Sequence, residues 1–448
     1  MLPLGLCAVV FGIYLANGRF VESTDTFGNE LLPISILERQ TLTFDQYYLG
    51  PDPAGHYATG PSALAANPFA AEYAYRISPE TPTESVPWWF IRTSGRVVSL
   101  FPIGPGVLNT PVMLVASQLG VSVADNLISL SHITTSAIAT ASVALMYVCL
   151  VQVCARQRTA VFLTLNFAFA TAVWSANSRT LNQHGASVLF LTAGLAALLS
   201  RRARLVMLAG LLLGCAVVIR PTNFLIAAPL ALFVYRHQRA ALPGFVALAM
   251  IPAAVLAWYS WVYWGTPLAL GESNHAAGFT APEPAIAVVG LLFSPNRGLL
   301  VFSPIFLFSV AYAGYVLRHP NDAPLLRYLV WSAVATFALY TVWLDWAGGH
   351  TYGYRFLIDL VPTLTLLLAA CWERFIVTRA YLRGLFLAAM LASVYVHGLG
   401  AIAAPCGFDD EPNNIDSDHA RLWDVANGEI ARCTQIEAHA WAPALGIH

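Results

Sequence analysis

The sequence predicts an all-α polytopic membrane protein with about eleven transmembrane helices and a long first extracytoplasmic loop carrying interfacial helices. Three observations lead there. Of 448 residues, 57% are hydrophobic and only 10% charged, against roughly 25% charged in an ordinary soluble domain. Apolar stretches recur along almost the whole chain, and the basic residues collect in every second connection between them.

The first stretch, 2–17, has no basic residue before it and no clear small-residue cleavage site after it, so it reads as a retained span. Ten more follow, at about 128–153, 159–175, 181–199, 205–219, 222–235, 243–263, 298–317, 328–344, 357–372 and 384–404. If all eleven cross, the connections "ARQR", "SRRAR", "YRHQR", "RHPNDAPLLR" and "ERFIVTRAYLR" share one face, with twelve of the 23 Arg and two acids, Asp322 and Glu373. The positive-inside rule makes that face and the N-terminus cytoplasmic. It sends the loop 18–127, the outer loops 264–297 and 345–356 and the tail 405–448 to the opposite side, as expected of a multi-pass protein in a bacterial inner membrane. Residues 101–120 are apolar enough to be mistaken for a span, but their three Pro and three Gly favour an interfacial or re-entrant piece.

The arms 205–219 and 222–235 are each only about 15 residues long, reaching roughly 22 Å of a 30 Å hydrocarbon core. The connecting "IRPTN" therefore belongs below the outer surface, and Arg220 at that depth needs an anionic partner or a water-filled cavity.

All 23 basic residues are Arg, and a net charge of -1 provides no field for nucleic acid. Five cysteines lie in or beside spans, where a thiol behaves as a small apolar residue. Cys406 and Cys433 are the two in the tail, and an oxidising compartment pairs them as a disulfide.

Polar residues gather at the outer boundary: Asp25, Arg179, His184, Arg220, Glu272, His275, Arg297, Asp345, His350, Tyr352, Arg355 and Asp359. Such convergence, opening outward and rimmed by long loops, fits an active site for an amphiphile better than a pore, whose charges would lie in mid-span.

Three segments, "STDTFGNELLPISIL", "SPNRGLLVFSPIF" and "WLDWAGGHTYGYRFLIDLVP", together resemble the GT-C superfamily of integral-membrane glycosyltransferases, in the neighbourhood of the bacterial family 39 and mannosyltransferase-like enzymes. The resemblance covers 1 to about 404 in order. It implies a polyprenyl-phosphate sugar donor and an essential acid just after the first span, which here is Asp25.

The chemistry of such a transfer matches the residues. Phosphate is already a good leaving group, so one carboxylate to take the acceptor's proton and cations to hold the phosphate are enough. Glycoside hydrolysis instead calls for a second carboxyl group as acid. Asp25 is then the base, attack is direct and inverting, and Arg220, Arg297 and Arg355 are the candidates for the phosphate. A divalent metal near Asp25 stays open.

Each assignment has a structural alternative. Arg297 can simply anchor a helix end at the interface, and Arg355 can pair with Asp359 four residues on. Glu272 with His275 can contact substrate or a metal, or belong to loop structure. His184, His350 and Tyr352 are further possible contacts. The acceptor can be a glycolipid, an envelope polysaccharide or a protein hydroxyl. The rival class is a lipid or sugar transporter, which would not need a 110-residue outer loop.

Overall fold

A computed structural model describes residues 2–17, 20–21, 23, 25–45, 89–93, 95–267, 279, 283–319 and 323–441. Each of the eleven apolar stretches is helical. Four helices are both long and apolar enough to cross a membrane: Leu127–Val153, Arg239–Trp264, Arg355–Ile376 and Ala380–Ile402. The others are shorter. Gln183–Leu199 and Ala203–Ile219, for example, have 17 residues each, about 25 Å of rise.

The helices run back and forth between two ends. At the Arg-rich end, the Ala155 backbone N–H donates to Glu373 across the first and last of the five Arg-rich connections (3.2 Å). At the opposite end, the residues after the first helix meet Arg179, the loop 342–354 and the tail. Between the two ends lies Val361–Cys371, every residue of which is buried. A helix buried on every side belongs at the centre of a bundle, and of its two Thr, Thr365 donates its hydroxyl to the Val361 carbonyl (2.8 Å). Exposed positions include large apolar side chains as well: Met250, Trp258 and Trp261 on Leu242–Trp264 are 58%, 55% and 63% exposed.

One helix contact follows directly from sequence. Gly210 and Gly214 stand one turn apart on Ala203–Ile219 and face Leu242–Trp264. A Cβ on Gly210 would sit 1.9 Å from the Phe245 carbonyl oxygen, and one on Gly214 would sit 2.9 Å from that of Ala249. This small-xxx-small pair brings the two backbones together where apolar side chains gain nothing over lipid.

The first outer loop is not wholly helical. Helices Phe27–Arg39 and Gly104–Gln118 pack against each other, and the Asn29 side chain accepts from the Gly106 N–H (3.0 Å). Between them in sequence, strands Phe90–Thr93 and Arg96–Ser99 form an antiparallel hairpin turned at Gly95, φ +75°. The hairpin adds two short strands to a mostly helical chain, and its cause is local: the "SG" between "FIRT" and "RVVS" supplies a Gly that takes positive φ. The apolar piece within 101–120 is the helix Gly104–Gln118, with Pro111 inside it and Val107, Val115 and Leu119 exposed.

Candidate active site

Asp25 closes the short turn that follows the first helix. Its carboxylate accepts from the Ser23 hydroxyl (2.8 Å) and forms a salt bridge with Arg355, whose guanidinium also donates to the Gly348 carbonyl (3.2 Å). The two partners lie 330 positions apart in the chain. Gly348 and Gly349 take φ of +82° and +63°, a left-handed conformation that Gly adopts without a Cβ clash. "AGGH" can therefore fold tightly enough to present its carbonyl to Arg355.

This pair forms part of the wall of a cavity of about 1430 Å³. Three other regions contribute to the wall. The π-helical turn Val173–Asn177 and the residues after it supply Ser175 and Arg179. The loop 343–352 supplies Asp345, His350 and Tyr352. The tail supplies Asp409, Asp410, Asp416 and Glu429. Arg179 and Arg355 are the two arginines lining it among the described residues. Arg179 is 1% exposed and donates to the carbonyls of Gly400 and Ala404 at the end of Ala380–Ile402, where a cation also meets the negative end of the helix dipole.

Leu100 and Phe101 line the cavity and also a second, apolar groove of about 420 Å³, walled by Leu211, Ile251, Val255 and Trp258 among others. The polar cavity and the greasy groove therefore meet at these two side chains.

The remaining expected site residues divide by location. Arg220 is 5% exposed and held by Asp359 (3.2 Å), by the Tyr340 hydroxyl and by His184. Asp359 is the anionic partner its depth requires. Neither Arg220 nor His184 is among the residues lining the cavity; both belong to a buried charge cluster with Asp359, while Arg355 pairs with Asp25 instead of Asp359. Arg297 likewise serves a structural contact: it bridges Asp409 and Glu429 (3.2 Å to the latter) and donates to the Gly349 carbonyl (3.0 Å). Tyr352 is buried, donates to the Val396 carbonyl (2.7 Å) and crosses the Phe302 ring edge-on. His350 lies between Asp410 (3.6 Å) and Asp416 (3.5 Å). Glu272 and His275 lie outside the described residues, as does Glu22. Glu30 is buried in the first turn of Phe27–Arg39. No group of three or more His, Cys, Asp or Glu able to hold a metal occurs among the described residues.

The tail contributes to the cavity wall. Cys406 and Cys433 are joined, as expected. Arg297 and Asn296 fasten the segment between, Asn296 donating to the Arg421 and Asp424 carbonyls (3.0 and 2.9 Å). Burial, opposed by Arg297 and reinforced by Asp409, holds the Glu429 carboxyl well above the ordinary glutamate range. Asp345, half-buried and facing Asp416, is pushed up to about 6 by desolvation and by that neighbouring carboxylate. The sequence signal for this arrangement was the acid-rich "FDDEPNNIDSDH" beside a Cys, on the same side as "SPNRG".

No family model and no curated protein matches the chain. Among solved structures, the oligosaccharyltransferase of Archaeoglobus fulgidus, tethered with an acceptor peptide containing the NVT sequon, aligns with a TM-score of 0.51 at 12% identity over 95% of this chain. The chain shares that enzyme's fold. It spans 60% of the archaeal protein's length. The same enzyme with zinc and sulfate aligns at 0.47 with 14% identity, over 93% of this chain and 58% of that one. In its apo form the values are 0.42 and 13%, over 94% and 60%.

Proposed function

We propose that the chain is an integral-membrane glycosyltransferase that moves one sugar from a polyprenyl-phosphate donor to a hydroxyl on the non-cytoplasmic side. The observation that carries the reading is the Asp25–Arg355 pair on the wall of a large polar cavity that meets an apolar groove at Leu100 and Phe101. A lipid-phosphate sugar has the same two parts, an anionic head and an isoprenoid chain.

Transfer would then follow in a set order. The donor's phosphate competes with Asp25 for the Arg355 guanidinium, a fork that suits phosphate as well as carboxylate. Asp25, still oriented by Ser23, then accepts the proton of the acceptor hydroxyl as its oxygen attacks the anomeric carbon. The bond from that carbon to the phosphate oxygen breaks, its electron pair leaves with the phosphate, and the configuration inverts. Arg179, on the same wall, adds a second positive charge toward the departing phosphate. Arg220 and Arg297 act at one remove, by holding the loop and tail that form the wall.

In this reading all eleven apolar helices cross, the Arg-rich connections are cytoplasmic and the cavity opens outward. The acceptor is a glycolipid, an envelope polysaccharide or a protein hydroxyl. The test is a mass-spectrometric comparison of envelope lipids and glycans from cells with and without the protein. A missing hexosyl or pentosyl unit on one species is the expected result. Unchanged glycans with donor lipid stranded on one leaflet would establish the transporter instead.

A further inference from the structure

The cavity has two approaches of different character. Tail residues line the cavity but none lines the apolar groove among the described residues. A lipid-borne donor would arrive along the groove, and the second reactant past the tail. Of the tail's four carboxylates there, Asp409 and Glu429 are engaged by Arg297. The side chains of the other two, Asp410 and Asp416, are 71% and 60% exposed and flank His350. Asp345 faces Asp416 from the opposite loop, with His419 and Arg297 close by.

The segment is built to stay in place. The disulfide closes it at its two ends, the Ser294 hydroxyl donates to the Leu422 carbonyl (2.7 Å), and the Glu429 N–H donates to Asn296 (2.6 Å). Gly428 is required at that contact, since a Cβ there would lie 2.6 Å from the Asn296 side-chain oxygen. So much fastening of a surface segment has a purpose if the segment's position beside the cavity matters.

We propose that the tail segment 405–429 is a charge-selective wall, in which Asp410 and Asp416 exclude anionic acceptors and admit neutral or cationic ones. Like charges brought together across a binding surface penalise the wrong partner more than opposite charges reward the right one. The word acceptor rests on the transferase reading, but the filter itself does not.

The test therefore reads the filter without sugar transfer. Thr180, on the cavity wall, is changed to Cys, and its reaction with a cationic and an anionic methanethiosulfonate is followed at peptide level in the full chain in lipid nanodiscs. The expected preference for the cationic reagent is about tenfold at low salt, shrinking as screening increases. Asp410→Asn with Asp416→Asn should lower that ratio at least about fivefold, while Asp410→Glu with Asp416→Glu keeps it. Replacing Cys406 and Cys433 by Ser should also lower it, by releasing the wall. A ratio unmoved by the double Asn variant overturns the proposal. Absence of sugar transfer in the purified protein would overturn the enzymatic reading alone.

Discussion

Replacing Asp345 by Asn should make the protein more stable at neutral pH and leave it unchanged in acid. The Asp345 carboxyl is pushed up to about 6 by burial and by the facing Asp416, against an ordinary value of 3.8. A raised acid binds its proton in the folded state at pH values where the unfolded chain has already lost it. Its contribution is fully present below about pH 4 and is lost as pH rises through about 6. Two pH units at about 1.4 kcal/mol each give an upper figure of about 3 kcal/mol lost above pH 7. The neutral, near-isosteric amide carries no such loss, so Asp345→Asn should gain about 1–3 kcal/mol at pH 7.5. The assay is denaturation of the two proteins in detergent micelles, followed by tryptophan fluorescence at pH 4, 5, 6, 7 and 8. Midpoints should coincide at pH 4 and separate progressively above pH 5. Parallel curves, or a variant less stable at every pH, would refute the electrostatic reasoning.

Two further perturbations separate the tail lock from the bundle. Arg297→Gln leaves Asp409 and Glu429 facing each other without their cation, and should cost about 3–5 kcal/mol, read as a fall in the denaturation midpoint with a protease-sensitive tail. Gly210→Val drives a side chain into the Phe245 carbonyl and should cost at least about 1–3 kcal/mol, with the helices Ala203–Ile219 and Leu242–Trp264 moving apart in cross-linking from paired cysteines.

Much of the architecture could be read from the chain because bilayer chemistry is restrictive. Backbone groups in hydrocarbon must be satisfied within a helix, so the apolar runs are helical, though their bounds shift by several residues and 298–317 is broken into three pieces. The tail disulfide was legible for a similarly simple reason: two cysteines were left on one side. Asp25 and Arg355 were each visible as boundary charges, yet their pairing across 330 positions depends on the Gly348–Gly349 turn, which no local pattern announces. Arg220 was legible as a buried charge needing a partner, whereas His184 was read as a possible substrate contact. Which partner they took was decided by the packing of Asp359. The tail's role escaped because sequence shows composition and not which cavity a segment lines. The hairpin escaped because four-residue strands leave little periodicity to detect.

The most direct test of the central claim is sugar transfer by the purified protein in lipid vesicles. The reaction would contain a radiolabelled polyprenyl-phosphate hexose and a panel of hydroxyl acceptors, with Asp25→Asn beside the unaltered protein at equal reconstitution. The account predicts label moving into a new glycosidic bond of inverted configuration, and a fall of about 10²–10⁴-fold in rate for the variant, the usual range for a lost general base. Transfer at an undiminished rate by Asp25→Asn would contradict it.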